Sequence, residues 1–217
     1  MARGSTRKPT SQHSGAIHRA ARRIANLREV PRRFIPGDRP GRRYPSRTVG
    51  TVTLRQATVA DAEQIREIYN HEVMHTVATF DLVPRSLPEQ QQWLEARSGA
   101  FAAIVAVDPS DPQGEVVGFG ALSPYKERAA YRTSVEDSVY VRRDRNGEGI
   151  GSLILAELLH IAAVSGFHAV FARINATGEG SIALHRKLGF ELVGVEREVG
   201  RKFSRWHDVA LMQHLIP

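Results

Sequence analysis

The chain has 217 residues, 41% of them hydrophobic, which suits one domain with room for a tail. It contains no cysteine. That excludes disulfides, thiolate metal sites and a cysteine nucleophile, so acyl transfer must run directly from donor to acceptor or use another nucleophile. The net charge of +7 is unevenly placed: residues 1–50 hold thirteen Lys/Arg against two Asp/Glu, and the rest holds seventeen against twenty-one.

Residues 1–50 are rich in Arg, Pro, Gly and Ser. Such a segment buries too little apolar surface to offset its ordering entropy, so a disordered basic extension is expected, with a short helix around Ile17–Val30. Three readings stand for it: non-native sequence from an early start codon, a solvated tail touching nucleic acid or acidic partners, and an Arg-rich transit peptide. The body from residue 51 is mildly acidic, so nucleic-acid contact is expected from residues 1–50 or not at all. No run of about eighteen apolar residues occurs, so no membrane-spanning helix is expected. The histidines show no ligand spacing with carboxylates, so no metal is expected.

From Thr51 the pattern changes. Val52, Leu54 and Ala57 alternate with polar residues as a first strand does. Thr58 is placed to cap a helix with Asp61 in its first turn, and Ile65, Ile68, Tyr69 and Val73 give that helix one apolar face. Ser86 and Pro88 open a second helix through Trp93 and Leu94. Residues 101–107 and 115–122 read as a hairpin, its turn holding Asp108, Pro109, Asp111, Pro112 and Gly114. Then follow a strand over Ser134–Val141, a helix over Gly149–Ser165, a strand over 168–174 and a helix over Ser181–Leu188. Strands near Leu192–Val199 and His207–Leu215 close the chain. This order predicts an α+β, or mixed α/β, domain built on one central sheet.

The most informative stretch joins strand Val139-Tyr140-Val141 to a helix through Asn146-Gly147-Glu148-Gly149-Ile150-Gly151. Glycines let main-chain N–H groups face a ligand, and a helix N-terminus adds unsatisfied donors and partial positive charge, so a diphosphate can lie there. A plain strand-to-helix turn is the competing reading. There is no G-K-[ST] for a Walker loop, and no acidic ribose partner for a dinucleotide fold.

The loop resembles the acetyl-CoA pyrophosphate motif of GNAT acetyltransferases. Asn146 stands where that family usually has Gln or Arg, and Glu148 where Lys or Arg is common. Both reduce positive charge beside a diphosphate, with Arg142, Arg143 and Arg145 as compensating candidates. Further segments are similar to the phosphinothricin and methionine-sulfone branch. They are Lys126-Glu127-Arg128-Ala129-Ala130-Tyr131-Arg132-Thr133-Ser134-Val135-Glu136-Asp137-Ser138-Val139-Tyr140-Val141, then Ser181-Ile182-Ala183-Leu184-His185 through Phe190, and Gly200 through Val209 with Lys202, Trp206 and Asp208. The similarity spans about residues 52–215.

The resemblance implies one mostly antiparallel sheet with two parallel strands splayed at an acetyl-CoA cleft, and flanking helices. It implies a cytoplasmic, homodimeric, acetyl-CoA-dependent N-acetyltransferase acting on the α-amine of a small amino-acid analogue. A GNAT enzyme for protein or peptide amines, and a non-catalytic module with a nucleic-acid-binding tail, are the alternatives. Acetylation needs a base for the ammonium proton. Glu136 is the candidate, because its apolar strand neighbours favour partial burial and a raised carboxyl pKa. A solvent-facing strand glutamate is the plainer reading. Asp137 points to the opposite face and is set aside. By similarity, His185 takes the general-acid place near the CoA sulfur, and main-chain groups of Val139, Tyr140 and Val141 pair with the pantetheine arm or the developing oxyanion. Gly178 falls where the family usually has an Asn contacting CoA. Arg128 and Arg132 are candidates for the acceptor carboxylate, with Ala129, Ala130, Val135, Ser138 and Phe80 lining the same site.

Overall fold

A computed structural model describes residues 47–49, 52–112 and 114–217. The expected extension up to residue 46, including the Ile17–Val30 helix, lies outside the described residues. Strands β1 (Arg47–Val49), β2 (Val52–Gln56), β3 (Ile104–Val107), β4 (Val116–Pro124), β5 (Ser134–Val141), β6 (Ala169–Asn175), β7 (Glu191–Lys202) and β8 (Arg205–Leu215) form one sheet in the order β1-β2-β3-β4-β5-β6-β8-β7. Every neighbouring pair is antiparallel except β5 with β6. Strand β1 pairs with β2, so the sheet begins upstream of where the apolar alternation does.

Helix α1 (Ala62–His75) is entered through a 3-10 turn over Val59–Asp61. Asp61 accepts from the Thr58 N–H at 2.7 Å and pairs with both Arg55 terminal nitrogens at 2.7 and 2.8 Å. Helix α2 (Leu87–Glu95) starts on a capping box: Ser86 accepts from the Glu89 N–H, and the Glu89 carboxylate accepts from the Ser86 N–H at 2.7 Å. The strand expected from Phe101 begins instead at Ile104, because Gly99–Phe101 closes a 3-10 turn.

Helices α1 and α2 cover one face of the sheet, packing Ile65, Tyr69, Val73 and Leu94 against Val105, Phe119 and Ala121. Helix α3 (Ile150–Val164) covers the other, packing Ile154, Leu158 and Ile161 with Leu122, Val135 and Val170. A sheet covered on both faces needs strands apolar on both, which is why β3 and most of β4 are buried without alternation. Helix α3 lies so close to β4 that a Cβ on Gly120 would fall 2.5 Å from Ile154 Cγ2. Gly120→Val is therefore expected to cost about 1–3 kcal/mol of stability, measurable by denaturant titration.

Candidate active site

The site arises where the parallel pair separates. Ser134, Val135 and Glu136 pair with Ala169, Val170 and Phe171, and the ladder stops there. Beyond it β5 stays paired with β4 as far as Val141, while β6 follows β8. The two strands diverge, and their facing main chain from Asp137 and Ala172 onward opens a cleft of about 470 Å³. A second trench of about 930 Å³ runs from it to the N-terminus of α3, sharing Val139, Tyr140, Thr177, Gly178 and Ser181 as wall.

The glycine loop lines the trench. Gly147 and Gly149 hold φ of 87° and 80°, and a Cβ at either position would meet no protein atom within 4 Å. No side chain caps α3 at Gly149, so the first-turn N–H groups face open space. That arrangement fits a diphosphate. Asn146, Ile150 and Gly151 also line the trench. Gly151 has a packing role too, since a Cβ there would press on Leu184 at 3.3 Å. Glu148 does not line it; its carboxylate pairs with Arg145 at 2.7 Å. Of the arginines expected to compensate, Arg143 and Arg145 line the trench and Arg142 does not. Arg142 binds Glu115 and Asp144, Arg143 binds Glu72, and Arg145 binds Asp108 and Glu148. Their charge is largely balanced within the protein, so the main-chain amides are the unpaired donors. Gly149→Val is expected to cost about 1–2 kcal/mol through the left-handed backbone. It should also weaken CoA binding at least about tenfold by crowding these donors, read by calorimetry.

At the splay Glu136 is half buried on the α1 side of the sheet, sharing its face with Ser138 on β5 and Phe171, Arg173 and Asn175 on β6. Burial pushes its carboxyl above the ordinary range; Arg173 opposes this, and Asp137 and Glu196 add to it. On the opposite side of the sheet His185, from helix α4 (Glu179–Lys187), is buried beside Asp137. Its Nε2 lies 3.1 Å from Asp137 Oδ2 and its Nδ1 2.7 Å from the Ser181 carbonyl oxygen. Both ring nitrogens face acceptors, the surroundings of an imidazolium. Burial opposes that charge, but the Asp137 bond and charge, helped by the Ser181 carbonyl, outweigh it and raise the His185 pKa.

Asp137, set aside on the sequence, lines the cleft. It does point away from Glu136, but the splay opens the sheet so that both faces reach one cleft. Its Oδ1 is buried without a partner. Arg173 and Asn175 were also missed; both line the cleft.

Gly178 caps α4 and borders both cavities, and a Cβ there would crowd the Asn175 main-chain carbonyl oxygen at 3.0 Å. Phe80 and Ser138 line the cleft as expected; the Phe80 ring lies over Gly200, where a Cβ would fall 2.1 Å from it. Lys202 is buried and donates to the Thr79 carbonyl at 2.8 Å, tying down the loop that carries Phe80. Val135 is corrected to a core residue, fully buried in the α3 cluster. Arg128, Ala129, Ala130 and Arg132 sit on or beside an exposed 3-10 turn (Ala129–Tyr131) and line neither cavity. Among the described residues no group of three or more His, Cys, Asp or Glu could hold a metal ion.

Comparison with known proteins agrees with this geometry. The chain is 39% identical over 163 residues to an L-methionine sulfoximine/L-methionine sulfone acetyltransferase of Pseudomonas paraeruginosa, covering 75% of this chain and 94% of that one. A phosphinothricin acetyltransferase of the GNAT superfamily from Sinorhizobium meliloti, solved with acetyl-CoA, superposes with a TM-score of 0.72 at 39% identity, covering 77% of this chain and 89% of that one. A structure named ribosomal-protein-alanine N-acetyltransferase, from Brucella melitensis, gives a TM-score of 0.71 at 38% identity, covering 75% and 99%. With the acetyltransferase (GNAT) domain matching residues 54–211, which hold the glycine loop, Glu136, Asp137 and His185, the chain belongs to the GNAT acetyltransferase family.

Proposed function

We propose that the protein transfers the acetyl group of acetyl-CoA directly to the α-amine of a small amino-acid analogue, of the methionine sulfone, methionine sulfoximine or phosphinothricin type. The observation that carries this reading is a half-buried carboxylate and a buried histidine–aspartate pair on opposite walls of one cleft. Bound at Gly147–Gly151 and along Val139–Val141, acetyl-CoA would supply an activated thioester. Glu136, its pKa raised by burial, takes the proton that an ammonium must lose before its nitrogen can attack. The β5 edge beyond Glu136 offers main-chain N–H groups to a polarised carbonyl oxygen. His185 and Asp137 hold a proton on the far wall; a departing thiolate takes the Nε2 proton as the His185–Asp137 hydrogen bond opens, leaving neutral imidazole beside the Asp137 carboxylate.

A homodimer is part of this proposal. It is supported by exposed Val193, Val195, Val199, Phe203 and Trp206 on β7, β8 and the turn between them. Action in the cytoplasm rests on the family resemblance. No helix among the described residues is long and apolar enough to cross a membrane. The basic residues 1–50 are the segment suited by charge to nucleic-acid contact.

A second reading, acetylation of a protein amine, draws on the Brucella neighbour's name. A mass-spectrometric screen of pure full-length protein with acetyl-CoA separates them. We expect product with methionine sulfone, methionine sulfoximine or phosphinothricin, and none with peptides starting in alanine. No product from any of the three small acceptors would contradict the proposal.

A further inference from the structure

The cleft wall contains cationic groups, but most are committed. Arg143 is bound to both Glu72 oxygens at 2.8 and 2.5 Å, and His185 to Asp137 and Ser181. Arg173 differs. It meets Glu196 through Nη2 alone, at 2.5 Å, so most of its guanidinium fork has no protein partner among the described residues. Two residues along β6, and therefore on the same face, stands Asn175. Asn175 is only 7% exposed. Its Oδ1 accepts from the Thr177 N–H and hydroxyl at 3.0 and 2.6 Å, which fixes the amide so that Nδ2 is the donor end. That Nδ2 is buried with no partner. A buried amide donor without an acceptor is costly, and a ligand oxygen would remove the cost.

Glu136 sits opposite Phe171, so Arg173 lies one like-facing step, about 6–7 Å, farther along the cleft. Glu136 and Asp137 make the cleft acidic, so a carboxylate entering it needs a cation. We infer that Arg173 and Asn175 form the carboxylate clamp of the acceptor, gripping its two oxygens while its α-amine faces Glu136. The Glu196 carboxylate occupies one arm of the fork as an internal stand-in. Arg173 is thereby a specificity-determining residue: it selects α-amino acids over amines lacking a carboxylate. Arg173 is itself exposed at the cleft wall, whereas Arg128 and Arg132 line neither cavity. The inference rests on the small-amine reading above but not on turnover.

The test is calorimetric titration of methionine sulfone, and of its carboxamide, into full-length protein saturated with unreactive CoA. Wild type should bind the acid at least about tenfold more tightly than the amide, the usual effect of charge-assisted hydrogen bonds. Arg173→Ala should lose about 10- to 100-fold for the acid and leave the amide unchanged, with Arg173→Lys between. Asn175→Asp, which keeps the shape and the Thr177 bonds, should also weaken the acid selectively. Equal affinity of wild type for acid and amide, or equal loss of both in Arg173→Ala, would overturn the inference. Arg173-dependent binding without acetyl transfer would uphold the clamp and remove the transfer reading alone.

Discussion

Glu136→Gln is expected to lower kcat/KM for the amine by about 10²- to 10⁴-fold, the range over which a positioned base contributes. Glutamine fills the same space but accepts no proton, so CoA affinity should stay at the wild-type value. The pH profile gives a sharper check. Burial raises the Glu136 pKa, so the acidic limb of the wild-type profile should lie above the ordinary carboxylate value of about 4.3 and vanish in the variant. Stability should move the other way. A carboxyl whose folded pKa is raised favours folding at low pH, and this contribution is lost as pH rises through the folded value. Glu136→Gln removes that loss, so its stability relative to wild type should improve toward neutral pH.

Asp137→Ala should show the largest effect on stability. Removing one partner of a buried ion pair typically costs about 3–5 kcal/mol, and the His185 and Asp137 side chains are only 4% and 1% exposed. The sign of the pH dependence follows from the raised His185 pKa. The pair's contribution is fully present below the ordinary histidine value of about 6.5 and is lost as pH rises through the folded value. The gap between wild type and Asp137→Ala should therefore be widest near pH 5–6 and narrow on the alkaline side, as thermal denaturation across pH would record. A uniform gap would mean that the aspartate acts only by filling space.

The parts of the fold legible in the sequence were those set by local rules. The Ser86–Pro88 and Thr58–Asp61 helix starts and the strand–glycine loop–helix unit each depend on residues within a few positions of one another. The 203–204 turn was not legible: Phe203 and Ser204 adopt φ of 50° and 61° without the Asn-Gly signature such a turn favours. Strand β1 lies within a basic stretch with little apolar alternation.

In the site, Glu136 was legible because its apolar strand neighbours foretold partial burial. Asp137 was not, because its role depends on His185, which lies 48 residues along the chain, and on a splay that no local pattern encodes. Arg173 interrupts the apolar run from Ala169 to Ile174, and that break was the signal available for it. Conversely, Arg128 and Arg132 look suited to a carboxylate by type, yet the turn at 129–131 holds them away from both cavities.

Hydrogen exchange on the full-length protein, with and without CoA, tests the central claim most directly. Slowed exchange of the amides from Gly147 to Leu153 and along Val139–Val141 is the predicted result. CoA binding that leaves those amides unchanged and protects a different surface would contradict the account.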